Sequence, residues 1–251
     1  LLYKIQNDAL ERALRSPNHV SVGPFVMRYD ERWNSPFANY AIPLAGTQAC
    51  ESDIARLDVA FADRDRRPRL EYLSGAAPAL EATLLAAGYR VENRAAVMLI
   101  EAGDPVPAFV TEGIDVRPPA DEAEFRAIAA LQHAAYAEDG EVSESQINWL
   151  RNAAADGGLV LAAVANDSQI VGAGLCSAPR NGLAELTGLA VSLSWRRAGI
   201  GSALSARLTE YGLARGYSAI WLEPGDEKIQ RMYARVGYRV IGEKLNISRP
   251  V

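Results

Sequence analysis

Cysteine is scarce in this chain: Cys50 and Cys176 are the only two among 251 residues, with no Cys-x-x-Cys spacing. That usage excludes a disulfide-stapled scaffold and fits a reducing, cytoplasmic compartment. Histidine numbers two, too few for a convincing metal site, so no metal is expected. Lysine accounts for three of the 26 cationic residues (Lys4, Lys228, Lys244), a bias towards arginine that reads as composition and not as chemistry. No apolar run approaches the ~20 residues needed to span a bilayer, so no membrane segment is expected. Leu1 opens the sequence where a Met would start translation; a few residues are expected to precede it, and no secretory leader is expected. A net charge of −5 excludes a general nucleic-acid binder, which needs a basic face to displace counterions. What is present is ordinary for a globular protein: 49% hydrophobic and 23% charged residues, with ample material for a core.

The clearest break in composition is the stretch 101–108, where Gly103, Pro105 and Pro107 disfavour helix. It suggests a first domain over 1–102, a linker over 103–112 and a second domain over 113–251. Downstream the pattern alternates between strand and helix periods. Residues 114–117 alternate like a short strand, Asp121 caps a helix with Phe125, Ile128 and Leu131 as its stripe, and Ser143 starts another. Three strand-like runs follow at 159–165, 170–176 and 183–191, parted by Asn166-Asp-Ser and Arg180-Asn-Gly turns. A long helix begins near Gly199 and ends at Gly216. A buried strand at 219–222 leads to a helix with Ile229, Met232, Tyr233 and Val236 as its stripe, stopped by Gly237, and a last strand at 238–247. The order βααβββαβαβ predicts a mixed, mostly antiparallel α/β sheet with flanking helices.

The upstream half repeats part of this pattern. Ala87-Gly-Tyr-Arg-Val91 matches Val236-Gly-Tyr-Arg-Val240 at an offset of 149 residues. At the same offset Ala41-Ile-Pro-Leu44 meets Ala190-Val-Ser-Leu193, and 70–73 meets 219–222. A register shared over that length predicts two tandem copies of one fold, the first diverged.

The stretch with chemical content runs from Leu189 through Ala190 and Val191 to a turn holding Arg196, Arg197, Ala198, Gly199, Ile200, Gly201 and Ser202, where a helix begins. A helix N-terminus leaves amide N–H groups unpaired and carries partial positive charge. Glycines let an anion approach the backbone, and arginines add charge-assisted hydrogen bonds, so the stretch predicts a phosphate or pyrophosphate site. A solvent-exposed turn with incidental arginines is the competing reading.

This stretch resembles the phosphate loop of the GNAT superfamily of acyl-CoA-dependent N-acyltransferases, Gln/Arg-x-x-Gly-x-Gly/Ala, met here by Arg196-Arg-Ala-Gly199-Ile-Gly201. The family's Leu-Ala-Val strand appears at 189–191, and its Asn-x-x-Ala-x-x-x-Tyr-x-x-x-Gly-Phe block as Asp226 through Ile229 and Tyr233 to Gly237-Tyr238. Asp226 and Ile229 depart from that block, and Arg197-Ala198 replaces the frequent Gly-Lys/Arg pair. The resemblance covers about residues 113–248. It implies acetyl-CoA or a related acyl-CoA as cosubstrate, with pantetheine along Leu189 and Val191, pyrophosphate on the amides of 197–202 and a further contact from Asp226. It implies direct attack of an amine on the thioester, with Tyr233 in the place of the family's acid. Glu185 stands where many relatives carry a glutamate acting through water, and its alternating neighbours equally fit a solvated strand carboxylate. His133 and the segment 139–142 are weaker candidates for facing an acceptor. In the first half the offset puts Thr47, Cys50, Ser52, Pro36 and Leu84 where the second has Arg196, Gly199, Gly201, Glu185 and Tyr233. That half therefore lacks the loop and the acid, and a structural role is expected of it.

The expected function is an N-acetyltransferase for a small-molecule or peptide amine, working as a monomer or homodimer. A non-catalytic acyl-CoA-binding regulatory module, or a transferase for a longer acyl group, are the alternatives.

Overall fold

The structure is a computed structural model that describes residues 1–31, 36, 38–136, 141–166 and 168–250. Two compact units emerge. Unit 1 comprises 1–97 with 241–251, and unit 2 comprises 98–240.

Unit 1 opens with helix α1 (Leu2–Arg15) and a hairpin of β1 (His19–Val22) and β2 (Phe25–Arg28). Then follow β3 (Tyr40–Pro43), α2 (Glu51–Ala62), β4 (Arg69–Leu73), α3 (Leu80–Ala86) and the start of β5 (Arg90–Glu101). Strand β2 runs antiparallel to β3, and β3 parallel to β4. The far neighbour of β4 is β11 (Arg239–Ser248), antiparallel from Lys244↔Leu73 to Ser248↔Arg69. Phe25, Met27, Leu57, Phe61, Leu70 and Tyr72 form the centre of its core. Arg69 is buried, and its charge is answered by Glu71 and by Glu92 at 2.8 Å. Lys244 of β11 also pairs with Glu71, at 2.9 Å.

Unit 2 holds β6 (Ile114–Arg117), α4 (Glu122–Ala135), α5 (Glu144–Ala155), β7 (Leu159–Ala165), β8 (Ile170–Cys176) and β9 (Leu183–Val191). Helix α6 (Ile200–Ala214), β10 (Ala219–Leu222) and α7 (Glu227–Val236) complete it. Strands β6 to β9 are antiparallel in sequence order, and β10 lies parallel to β9. The other edge of β10 pairs with residues 98–101 of β5, antiparallel. With β11 appended, the element order is the expected βααβββαβαβ. Asp121 caps α4 by accepting the Glu124 N–H at 3.0 Å, and Ser143 caps α5. The Asn181-Gly182 turn has both residues at positive φ, as a two-residue hairpin requires. Asp167, in the other expected turn, lies outside the described residues.

The 149-residue offset reappears in the elements. Strand β3 falls on the end of β9, α2 begins where α6 begins, β4 falls on β10, and β5 on β11. The division into units nevertheless differs from the boundary expected at 103–112. It falls at 97/98 and 240/241 because each unit takes a strand from the other half of the sequence. The backbone pairing of 98–101 with β10, and of 244–248 with β4, decides this.

Candidate active site

Strand β9 pairs with β10 only over Leu183–Glu185, matched to Ala219–Trp221. From Leu186 onward no pairing to β10 is found among the described residues, so that edge of β9 is open. A register shift against β8, between Ala173 and Leu175, accompanies the parting. Opposite it sits Gly188 at φ +64, whose carbonyl accepts the buried Gln132 side chain of α4 at 2.7 Å. A Cβ at 188 would stand 2.7 Å from that same amide nitrogen, so only glycine fits.

Alternation fixes which backbone groups the open edge presents. The Ser192 N–H donates to the Val171 carbonyl of β8 at 2.9 Å. Successive residues direct their backbone groups to opposite sides of a strand. Ala190 therefore faces β8, while Leu189 and Val191 face the opening. Two side chains reach these outward carbonyls: the Tyr136 hydroxyl donates to Leu189 at 3.2 Å, and Arg196 Nε donates to Val191 at 3.1 Å.

Beyond the strand, a short 3-10 turn (Leu193–Trp195) leads through Arg196 to Arg197 at φ +68 and Gly199 at φ +82. The left-handed Gly199 aims the chain into α6, whose first internal bond runs from the Ala203 N–H to the Gly199 carbonyl at 3.0 Å. The amides of Ile200, Gly201 and Ser202 have no partner within the helix. Gly199 at the N-cap has no side chain to cap this terminus, and no acidic residue lies in its first turn. Arg196, Arg197 and Ala198 are exposed beside it. The structure thus sets a positive helix terminus at the end of a strand edge not paired with β10, an arrangement that can hold an anion.

Tyr233 projects from α7 into the core and is 4% exposed. Its ring meets Tyr238 edge to face, 5.7 Å between centroids. Nearby, the Ser205 hydroxyl donates to the Gly201 carbonyl at 2.7 Å, in the first turn of α6. Burial raises the Tyr233 pKa well above its ordinary value, and the nearby Tyr136 phenol adds to the rise. The group is therefore neutral and holds its proton at pH 7.

Glu185 occupies the last paired position of β9, in register with Trp221. Its N–H donates to Ser177 Oγ at 2.9 Å, and its carbonyl accepts the Ser177 N–H at 2.8 Å. Its neighbours Ala184 and Leu186 join Tyr233 in the core beneath α6. By strand alternation Glu185 lies on the opposite face of the sheet. The candidate acid and the candidate base thus sit on two faces, with the opening between β9 and β10 beside them. Trp221, buried, has an indole N–H with no partner among the described residues.

Other expected positions make local contacts. Asp226 caps α7, accepting the Ile229 N–H at 2.8 Å. Ile229, expected in the apolar stripe of that helix, is exposed instead, as are Glu227 and Lys228 before it in the first turn. His133 lies 3.2 Å from the Gln146 side chain and ties α4 to α5. Asp139 and Gly140 of the 139–142 segment lie outside the described residues. Burial raises the Cys176 thiol pKa far above its ordinary range, so it stays a protonated core side chain and not a nucleophile. Tyr136, Gln132 and Ser205 were not singled out by the sequence, since contacts with backbone carbonyls leave no motif. Among the described residues no group of three or more His, Cys, Asp or Glu could hold a metal. Among the described residues no helix is long and apolar enough to cross a membrane.

Comparison with known proteins meets this geometry. Residues 123–238, from α4 to the end of α7, match the family model described as Acetyltransferase (GNAT) family. The segment is thus similar to GNAT acetyltransferase domains. No curated protein matches the chain. Among solved structures, a GCN5-related N-acetyltransferase from Kribbella flavida is similar at 24% identity and TM-score 0.80, covering 100% of this chain and 96% of that one. A second from Sphaerobacter thermophilus is similar at 18% identity and TM-score 0.74, covering 99% and 90%. A tandem GNAT protein from the clavulanic acid biosynthesis pathway is similar at 15% and TM-score 0.64, covering 84% and 74%. The GNAT likeness in fold therefore includes the first half of the sequence as well as the second.

Proposed function

We propose that unit 2 transfers an acetyl group from acetyl-CoA to a primary amine of a small molecule or peptide, by direct attack within a ternary complex. The observation that supports this best is the open edge of β9 running straight into the uncapped terminus of α6. Pantetheine would add to that edge as an extra strand, at the outward groups of Leu189 and Val191. The pyrophosphate would rest on the amides from Arg197 to Ser202, with Arg196 and Arg197 supplying charge.

With the cosubstrate so placed, the thioester would lie at the opening. An amine arriving on the Glu185 face would lose its proton towards that carboxylate, directly or through one water. The neutral amine attacks the carbonyl carbon, the tetrahedral intermediate collapses, and the C–S bond breaks. CoA leaves as a thiolate, which takes the Tyr233 proton, and the proton shed by the new amide nitrogen passes through water to restore the phenol. General acid catalysis of this kind contributes ~10²–10⁴-fold. The acidic balance of the chain favours a cationic acceptor.

Tyr233→Phe tests the reading, because it deletes the hydroxyl and keeps the ring against Tyr238. We expect kcat to fall by ~10²–10⁴-fold while CoA affinity holds. An unchanged kcat with intact CoA binding removes Tyr233 from the mechanism. CoA binding without turnover on any of a broad panel of amines would instead favour an acyl-CoA-binding module.

A further inference from the structure

We infer that Tyr136 is a built-in competitor of the pantetheine arm: its hydroxyl occupies the Leu189 carbonyl that the arm would pair with, and must leave that carbonyl before acyl-CoA can seat fully. The inference rests on the cosubstrate reading above and concerns a residue outside the phosphate turn and the acid–base pair.

Three observations carry it. Leu189 faces away from β8, so its carbonyl belongs to the open edge and not to the sheet ladder. That carbonyl is already engaged, by the Tyr136 hydroxyl at 3.2 Å. Tyr136 is the C-cap residue of α4 and is 53% exposed, so its ring lies at the surface and not in the core. A strand edge with bare carbonyls is costly to leave unpaired, and a hydroxyl from the neighbouring helix satisfies it cheaply and reversibly.

The second outward carbonyl, Val191, is engaged differently. Its partner Arg196 is a charged group beside the phosphate turn, and an arriving pyrophosphate draws it away by a stronger, charge-assisted contact. Nothing on the nucleotide end of CoA does the same for Tyr136. The nucleotide would therefore dock first, and displacement of Tyr136 would be required only of ligands that carry the arm. Tyr136 thus lowers the affinity gained from pantetheine without affecting the nucleotide. The Tyr233 pKa registers Tyr136 as a neighbour, which places the departing phenol beside the acid.

The test compares two ligands on two proteins by calorimetry: CoA, which has the arm, and adenosine 3′,5′-bisphosphate, which lacks it. Tyr136→Phe removes the hydroxyl and keeps the ring, and a half-exposed position makes a folding defect easy to detect by melting temperature. We expect CoA to bind the variant about threefold to tenfold more tightly, the worth of one neutral hydrogen bond. Affinity for the bisphosphate should stay within twofold. Unchanged or weaker CoA binding overturns the inference, since Tyr136 would then be neutral or would assist the cosubstrate. An equal gain for both ligands also overturns it, because the effect would not lie at the β9 edge. If the unsubstituted protein binds CoA but Tyr136→Phe melts far lower, Tyr136→Leu supplies the same comparison. If neither ligand binds the unsubstituted protein, the cosubstrate reading itself falls and this inference with it.

Discussion

Helices α2 and α6 begin at equivalent positions of the two copies, 149 residues apart, and their first turns are electrostatic opposites. At α6 the turn enters through Gly199 with two arginines just before it and no acid inside it. At α2 the Asp53 carboxylate accepts the Cys50 N–H at 2.9 Å and the Cys50 thiol at 3.1 Å, with Glu51 also in the turn. The Cys50 amide holds the Asp53 pKa below its ordinary value. One terminus is thus filled by the protein's own carboxylate, and the other has none in its first turn. On the function proposed above, the same strand–turn–helix scaffold would serve stability in one copy and ligand capture in the other, with a few residues deciding between them.

The largest effect should come from Gly201→Glu, which puts a carboxylate where the pyrophosphate would lie. The new Cβ would meet Met232 Sδ at 3.1 Å, the flexible end of a side chain that can yield. We expect CoA affinity to fall at least a hundredfold, with the free protein melting within a few degrees of the original. Undiminished CoA binding would remove the phosphate assignment.

Ser202→Asp sharpens the comparison, because 202 is the position that corresponds to Asp53. The substitution transplants the acid of α2 into α6. An acid in a first turn favours the helix, so folding should be little changed, while CoA binding should weaken by about ten- to a hundredfold. If binding is unaffected, the contrast between the two termini is not what decides which copy takes the ligand.

Asp53→Ala is the reciprocal change and the mildest. CoA binding should not alter, and the melting temperature should drop by a few degrees at most. The sign of the pH dependence follows from the lowered pKa. The carboxylate's contribution is present above its unfolded pKa of about 3.9 and lost as the pH falls through the lower folded value. The difference in melting temperature between the two proteins should therefore shrink below about pH 4. A difference that persists in acid would assign it to packing.

Much of this was legible in the sequence. The order of strands and helices in unit 2 follows from apolar period and from punctuation at Asp121, Ser143, Gly216 and Gly237. The offset of 149 anticipated the equivalence of α2 and α6, and Arg196-x-x-Gly-x-Gly pointed to the turn before α6. What stayed hidden has a common cause. Periodicity tells which face of a strand is buried but not which strand lies beside it. The pairing of β11 with β4, and of β5 with β10, was invisible for that reason, and so the boundary expected at 103–112 differs from the observed division. The placing of Glu185 opposite Tyr233 across the sheet needed the register of β9. Tyr136 acts on a backbone carbonyl, which any residue supplies, so no sequence pattern marks it.

The central claim is that one copy of the fold has kept an anion-binding helix terminus and the other has closed it with a carboxylate. Calorimetric titration of the whole protein with CoA measures that directly. The account predicts one CoA per chain, with that single site abolished by Gly201→Glu and untouched by Asp53→Ala. Two sites per chain, or one site that survives Gly201→Glu, would contradict it.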